Sequence, residues 1–397
     1  MGVFLKAAAV AAALAQTAGV SPFTLQAALA AADANNRTLV AARLGRAVDQ
    51  AGVGVAGERP NPEASFEAAR DTPHEVFSLS LPFEAGGKRA RRLDLANATL
   101  ARTSADIAVL TLDIRRQVRI AYFELVAATE KTTVTSDLRA LAERTRDAAR
   151  DRYQSGASPQ LELLQAELAL AQAANEEQAA NGQLLAARAG LSTLVGTVLD
   201  DKTQPADGFD ASNVPAAIDA TIAARPDVVA LDRAIDEAVA RERLARAMRT
   251  PDPTISGGVL ADAEPEFLIG WRAGFAITLP VFTRHDAGVL VETARVAQLR
   301  AEREARIAVL SGDAAAALAR ATAARQSYLR YRDEIIPQLA TIASLAELSY
   351  RSGQTGLTAY LQALQSAREV RLRAGETGLE YQTALADLER ALGGPVQ

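Results

Sequence analysis

The sequence predicts a mainly α-helical protein that carries a small transmembrane β-sheet and is built as two copies of one design. Three observations support this: a long run without Gly or Pro, two segments with apolar residues at period two, and motifs that recur at a nearly constant spacing. The chain has 397 residues, of which 49% are hydrophobic, and a formal net charge of −5. Its longest unbroken apolar run is Ala7–Ala15, shorter than the about 20 residues of a membrane-spanning helix, which argues against a helical inner-membrane transporter.

The duplication is visible in four motifs that recur in the same order. The pairs are Pro60-Asn61-Pro62 with Pro251-Asp252-Pro253 (191 residues apart), Leu81-Pro82 with Leu279-Pro280 (198 residues apart), Tyr153–Gly156 with Tyr350–Gly353 (197 residues apart), and Gly196 with Gly393 (197 residues apart). We therefore expect a first structural repeat over residues 22–199, a polar linker over 200–216 and a second repeat over 217–394. Each repeat is expected to contain a helix, two strands, a long helix, a turn and a returning helix.

The long helices are predicted to pack laterally as coiled coils. No Gly or Pro occurs from Lys88 to Ser155, a run of 68 residues, and a helix of that length spans about 100 Å. Leu93, Leu100, Ile107 and Ile114 follow a seven-residue step, which is the periodicity of a coiled coil. Pro337 interrupts the corresponding segment of the second repeat and predicts a kink, either a simple bend or a hinge.

The predicted strands have one apolar and one polar face. Every odd position from Phe267 to Val281 is apolar, and most even positions are small or polar. A soluble sheet with one buried face and a membrane barrel both produce this pattern. The length of the segment favours the barrel, because a strand crosses the bilayer in about 9–11 residues. The residues predicted to face lipid are Phe77, Leu79, Leu81, Trp271, Phe275 and Ile277, and Arg272 is predicted to face either the barrel lumen or bulk solvent.

Two strand pairs cannot close a barrel within one chain. An open four-stranded sheet in lipid would leave backbone hydrogen-bonding groups unsatisfied. Two chains would supply eight strands and three chains twelve. Because long helices would form a tube below the sheet, three-fold closure leaves an open lumen more readily than two-fold closure.

The N-terminal residues 1–15 read as an export signal, with Lys6, an apolar stretch and small residues at Ala13 and Ala15. An ordinary first helix is the alternative. The chain has no Cys and only two His, His74 and His285, so disulfides, thiolate metal sites and cysteine nucleophiles are excluded. No GxxxxGK[ST], GxSxG or HExxH motif occurs in the sequence. We expect no enzymatic activity, no cofactor, no metal site and no nucleic-acid partner.

With these motifs the sequence resembles the TolC-type outer-membrane efflux family over most of its length. The residues that carry the resemblance are the two P-x-P motifs, the two L-P motifs, the two Y-x-S-G motifs, Asn35-Asn36-Arg37, Arg225-Pro226-Asp227 and Ile336-Pro337-Gln338. The absence of long acidic or His-rich insertions is closest to the heavy-metal and cation efflux branch. The resemblance implies a homotrimer whose trimeric twelve-strand β-barrel lies in the outer membrane of a Gram-negative cell, on an α-helical periplasmic tunnel. It also implies contact with outer-membrane lipid, a periplasmic adaptor and an inner-membrane efflux pump.

The resemblance also implies a closed periplasmic tip at the two Y-x-S-G turns. Its candidate adaptor-docking residues are Tyr153, Ser155, Gly156, Tyr350, Ser352, Gly353 and Leu357. From the residues alone, Gly156 and Gly353 are helix C-caps with left-handed backbone. Relatives carry acidic residues in an entrance ring where this chain has Ala359 and Gln362, while the first repeat offers Glu162. That glutamate either contributes to the entrance or interacts with the helix dipole.

Two functions remain open at this point. The first is a passive outer-membrane export channel whose energy comes from a partner pump. The second is a soluble periplasmic coiled-coil scaffold or adaptor protein. The duplication and the long two-faced strands favour the channel, which requires the apolar strand face to contact lipid and not helices of its own chain.

Overall fold

The computed structural model describes residues 22–209, 214–215, 222–263 and 267–395, so the predicted signal peptide lies outside the described residues. Within these ranges the chain forms mostly helices with a few short strands. In chain order they are β1 (Pro22–Phe23), α1 (Leu25–Asn35), α2 (Arg37–Ala56), β2 (Glu63–Ala68), β3 (Glu75–Pro82), α3 (Lys88–Gln154), α4 (Gln160–Val195), β4 (Gln204–Pro205), α5 (Pro226–Ala247), β5 (Pro253–Ala263), β6 (Phe267–Ile277), α6 (Asp286–Arg330), α7 (Ile336–Arg351) and α8 (Leu357–Leu392).

The two halves of the chain repeat one order of elements. α2, β2, β3, α3 and α4 in the first half correspond to α5, β5, β6, the continuous α6–α7 segment and α8 in the second. With 67 residues, α3 extends over about 100 Å. It starts after two glycines with left-handed backbone, Gly86 and Gly87, and ends before a third, Gly156. The exact boundaries of the repeats and of the linker stay a prediction.

The strands of both halves join in one antiparallel sheet with the order β2-β3-β5-β6. The central contact is between β3 of the first half and β5 of the second, with Phe77 opposite Val259. The sequence predicted a strand as far as Val281, but β6 ends at Ile277, which is paired with Pro253 at the start of β5. Because β5 starts at Pro253, the residues after Ile277 have no partner in β5. The apolar alternation therefore continues to Val281 without strand pairing.

The segment after the first half is tied into the helical core. Gln204–Pro205 pairs in parallel with Pro22–Phe23, and the Phe209 ring lies 5.9 Å from Phe123 and 6.3 Å from Tyr328. Tyr122, which is fully buried, has its hydroxyl 2.8 Å from the Phe23 carbonyl oxygen and 3.0 Å from the Asp207 carboxylate. Burial raises the pKa of Tyr122 to about 12. The polypeptide between the halves is thus anchored at the middle of α3.

Pro337 changes the helix register without ending the helix. The five residues Tyr331–Ile335 immediately before α7 form a π-helical turn. The Ile336 N–H donates to the carbonyl oxygen of Tyr331, five residues back, and Pro337 itself has no N–H to donate. A π turn is a recognised source of helix irregularity, so the interruption predicted at Pro337 lies slightly before the proline.

One helical stretch within the described ranges, Asp286–Tyr350, could cross a membrane by length and composition alone, with a mean hydropathy of 1.3 in its most apolar window. The longest unbroken apolar run in the sequence does not reveal this stretch. Only 22% of that window is buried. Core helices of soluble proteins pass the same test, and here the stretch forms a helical hairpin with α8.

Candidate functional site

The four-stranded sheet separates apolar from polar side chains. Residues paired directly across strands lie on the same face, so the register assigns rows of side chains to each face. The apolar rows are Phe66, Phe77, Val259 and Trp271; Ala64, Leu79, Gly257 and Ala273; and Leu81, Ile255 and Phe275. On the opposite face, Ser65, Ser78, Gly258 and Arg272 form one row.

The apolar face is not covered by any helix in the described part of the chain. Trp271 is 82% exposed and Phe275 is 68% exposed. The other residues predicted to face lipid are exposed as well, namely Phe77, Leu79, Leu81 and Ile277. Soluble monomers rarely leave a contiguous apolar surface of this kind uncovered. Because β2 and β6 are edges of the sheet, their outer backbone groups also lack strand partners within the described chain.

Both helical hairpins end in the same turn. Gly156 donates its N–H to the Tyr153 carbonyl oxygen at 3.0 Å, and Gly353 donates to that of Tyr350 at 3.1 Å. The φ angles of the two glycines are +76° and +73°. These values confirm the predicted left-handed cap, which glycine adopts without the strain that a Cβ would add.

The structure divides the predicted docking residues into two groups. Five of them are exposed around the turns: Tyr153, Ser155, Gly156, Ser352 and Gly353. Tyr350 is 6% exposed and Leu357 is 2% exposed, so these two side chains pack inside the tip and do not offer a contact surface in this conformation. The Tyr350 ring and the Leu357 side chain pack between the two hairpins, away from solvent.

A cluster of side chains from α3, α4, α7 and α8 joins the two hairpins at the tip. It contains Ala149, Ala166, Tyr350, Leu357 and Tyr360. The rings of Tyr350 and Tyr360 are stacked at 4.9 Å, and the Arg152 guanidinium lies 5.6 Å from the Tyr350 centroid. The Tyr350 hydroxyl is buried without a hydrogen-bond partner among the described residues. The sequence analysis missed Arg152, which precedes the first Y-x-S-G motif by one residue, and Tyr360, which follows the second by seven.

The two predicted entrance residues differ in environment. Glu162 lies in the first turn of α4, is half-buried, and has one carboxylate oxygen without a hydrogen-bond partner among the described residues. Gln362 is exposed on α8. Glu162 therefore lies at the helix N-terminus, as the dipole interpretation requires, and its contribution to an entrance stays a prediction.

A buried charge network fixes the start of α5. The Asp227 carboxylate accepts hydrogen bonds from Arg390 at 2.8 and 3.0 Å and from Arg306 at 3.0 Å. Arg225 also reaches across, donating to the Arg390 carbonyl oxygen at 3.2 Å. Burial alone would raise the pKa of Asp227, but the bonds from Arg390 and Arg306 outweigh it and lower that pKa to about 2. Sequence analysis used Arg225 and Asp227 only as a helix-start motif and did not find their partners.

Comparisons with known proteins connect this architecture to outer-membrane export. Residues 28–197 match the family described as outer membrane efflux protein. The cobalt-zinc-cadmium resistance protein CzcC of Cupriavidus metallidurans is 26% identical over 379 residues, which cover 94% of this chain and 90% of that protein.

Solved structures of outer-membrane channels share the fold. The Campylobacter jejuni CmeC outer membrane channel has a TM-score of 0.80 at 19% identity, with 94% of this chain and 86% of that chain covered. CusC has a TM-score of 0.77 at 19% identity, with 96% of each chain covered. The sheet, the paired helical hairpins and the sequence match over residues 28–197 make this chain similar to the outer membrane efflux protein family.

Proposed function

We propose that this chain is the outer-membrane channel of a tripartite efflux system and conducts substrates passively from a periplasmic adaptor and inner-membrane pump to the outside. The observation that carries this proposal is the uncovered apolar face of the four-stranded sheet. A soluble scaffold, the alternative function, would have to hide Trp271 and Phe275 beneath its own helices. No helix among the residues that the structure describes covers these two side chains.

The channel is proposed to be a homotrimer. Each chain supplies four strands with open edges at β2 and β6, and three chains would supply a twelve-strand barrel. Closure pairs the outer backbone groups of one chain with those of the next, as the hydrocarbon environment requires. β5 and β6 have eleven residues each, matching the about 9–11 residues of a membrane strand. In this arrangement the row containing Arg272 faces the water-filled lumen.

The helical tip is the proposed contact with the adaptor. Tyr153, Ser155, Gly156, Ser352 and Gly353 form its exposed surface, while Tyr350 and Leu357 support that surface from inside. Glu162 and Gln362 follow the two turns by a few residues and are proposed to lie near the entrance. The buried Tyr350–Tyr360–Arg152 contacts would hold the two hairpins together until the adaptor docks.

The substrates delivered to the channel are proposed to be divalent metal cations. The support is the similarity to CzcC, whose name describes cobalt, zinc and cadmium resistance, over nearly the whole chain. The described residues contain no group of three or more His, Asp or Glu side chains that could hold a metal ion. We therefore assign the choice of substrate to the pump and treat this chain as a conduit.

The first prediction concerns assembly and conductance. The full chain purified from outer membranes should require detergent, have the mass of three protomers and open discrete conductances in a planar bilayer. Detergent is needed because the uncovered apolar face of the sheet must contact lipid or detergent. Three protomers are needed because the open strand edges must pair with neighbouring chains. Light scattering in detergent and single-channel recording provide the measurement. A monodisperse monomer that stays in detergent-free buffer would favour the scaffold instead.

The second prediction concerns the tip. Gly353→Pro should abolish most export while trimers still form, because proline cannot adopt a φ of +73° and has no N–H to donate to Tyr350. Growth of a complemented deletion strain in cobalt, zinc or cadmium would report export, and heat-resistant trimers on gels would report assembly. Gly182→Ala is the control, because Gly182 lies inside α4 with open space around its Cα. Full metal resistance with Gly353→Pro would remove the tip assignment, and an unaltered metal sensitivity on deletion would remove the proposed substrate class.

A further inference from the structure

The loop that connects β6 to α6 exposes apolar side chains just beyond the sheet. Leu279 and Val281 are both more than half exposed, and Phe282 is fully exposed. In sequence, Leu279 and Val281 continue the alternation of the lipid-facing residues, although the hydrogen-bonded strand ends at Ile277. Three large apolar side chains within four residues form a patch that a water-facing loop would not maintain.

The same loop forms one wall of a cleft of about 390 Å³. The segment between α5 and β5, residues 248–252, and Lys88 at the start of α3 form the other walls. The cleft has an apolar part that includes Met248, Val281 and Phe282, and a cationic part that includes Lys88 and Arg249. His285, with a φ of +58°, turns the chain from the loop into α6 and also lines the cleft. The cleft is therefore amphipathic.

The charges around the cleft leave an excess of positive charge. Lys88 is paired with Asp252 at 2.7 Å, and Arg249 is paired with Asp286 at 2.6 Å. Arg284 lies between two lining residues, is exposed and has no ion-pair partner within the described ranges. Next to the wall of the cleft, Arg284 thus adds a positive charge without an ion pair to two neutralised ion pairs.

The position of the cleft along the sheet matches the depth of lipid headgroups. Pro253 and Ile277 form the last strand pair on the helical side, and the eleven residues of β5 and β6 already account for the about 9–11 residues that cross the hydrocarbon. The loop then begins where the headgroups of the periplasmic leaflet begin. We propose that this cleft binds an anionic phospholipid of that leaflet, with the phosphate near Arg284 and an acyl chain against Val281 and Phe282. The inference rests on the proposed membrane barrel.

The test is native mass spectrometry of the full-length trimer in detergent, titrated with phosphatidylglycerol or with phosphatidylcholine carrying the same acyl chains. The wild type should bind phosphatidylglycerol more tightly. Arg284→Gln should weaken phosphatidylglycerol binding about fivefold, the factor for one basic residue near an anionic surface, and leave phosphatidylcholine binding unchanged. Phe282→Ser should weaken both lipids. Arg300→Gln is the matched control, because Arg300 is also exposed and without an ion-pair partner among the described residues but lies farther along α6.

Equal binding of the two lipids, or equal losses with Arg284→Gln and Arg300→Gln, would overturn the lipid site. A conducting wild-type trimer with that result leaves the channel intact, whereas a non-conducting soluble monomer overturns the proposed function itself. A second copy of the chain could also cover the cleft. Because the chain has no Cys, maleimide labelling of the Phe282→Cys variant distinguishes the two. If the lipid-free trimer is labelled and added phosphatidylglycerol reduces that labelling, the lipid site is supported. If the lipid-free trimer is not labelled, a second copy of the chain covers the cleft and the proposal is overturned.

Discussion

Replacing Trp271 with Arg should destabilise the assembled barrel by about 2–4 kcal/mol, the cost of an arginine on the lipid face near the bilayer midplane. Trp271 lies near the middle of β6, in the row with Val259, Phe77 and Phe66. Its neighbour Arg272 already occupies the same depth on the opposite face. The expected penalty therefore arises from the face of the sheet and not from the presence of an arginine in the strand.

The same substitution closer to the end of the strand should cost less. Phe275→Arg should have an intermediate effect, and Ile277→Arg, at the last pair of β6, should cost only about 0–1 kcal/mol. Ala276→Arg is the matched control, because Ala276 is next to Phe275 but lies on the opposite face, in the row of Thr254 and Pro82. Free energies of folding into lipid vesicles and the yield of heat-resistant trimers provide the measurements. Equal penalties at residues 275 and 276 would contradict the assignment of faces.

Features with local causes could be predicted from the sequence. The absence of Gly and Pro predicted α3 almost to the residue, because a helix of this kind continues until a residue that cannot propagate it. Period-two alternation predicted the two faces of β6, because side chains of a strand alternate by geometry alone. The left-handed caps at Gly156 and Gly353 followed from the one residue that adopts this backbone freely.

Features that depend on distant partners could not be predicted in this way. The end of β6 is set by the start of β5, since a strand stops where its partner has no residue to offer. The burial of Tyr350 and Leu357 depends on Tyr360 and on Arg152 from the other hairpin. Asp227 and Arg390 are 163 residues apart in sequence. No local pattern indicates such pairs, so the docking residues were assigned to one surface although two of them are internal.

The Asp227 network is expected to have the largest effect on the stability of the helical region. Asp227→Asn should lower the free energy of unfolding by about 3–5 kcal/mol, because removing one partner of a buried ion pair leaves uncompensated charge. In this chain the groups that lose their partner would be Arg390, which keeps its pair with Asp113, and the partly exposed Arg306. The network also joins the start of α5 to α6 and α8, so its loss should loosen the second half of the chain first.

Asp232 provides the control on the same helix. It is paired with Arg303 at 2.5 Å but is partly exposed, so Asp232→Asn should cost less than about 1 kcal/mol. Denaturation of the detergent-solubilised protein, followed by circular dichroism, compares the two variants. Equal losses would mean that the Asp227 pairs contribute no more than an exposed ion pair.

The pH dependence of this difference gives an independent check. The folded protein holds the pKa of Asp227 at about 2, below the usual value of 3.8. A carboxylate with a lowered pKa contributes stability that is present above the unfolded pKa and is lost as the pH falls through the folded one. The stability difference between the wild type and Asp227→Asn should therefore be constant from neutral pH to about pH 5 and should shrink between about pH 4 and pH 2. A difference that stays constant down to pH 2 would show that the amide disrupts packing and that the charge of Asp227 is not what stabilises the start of α5.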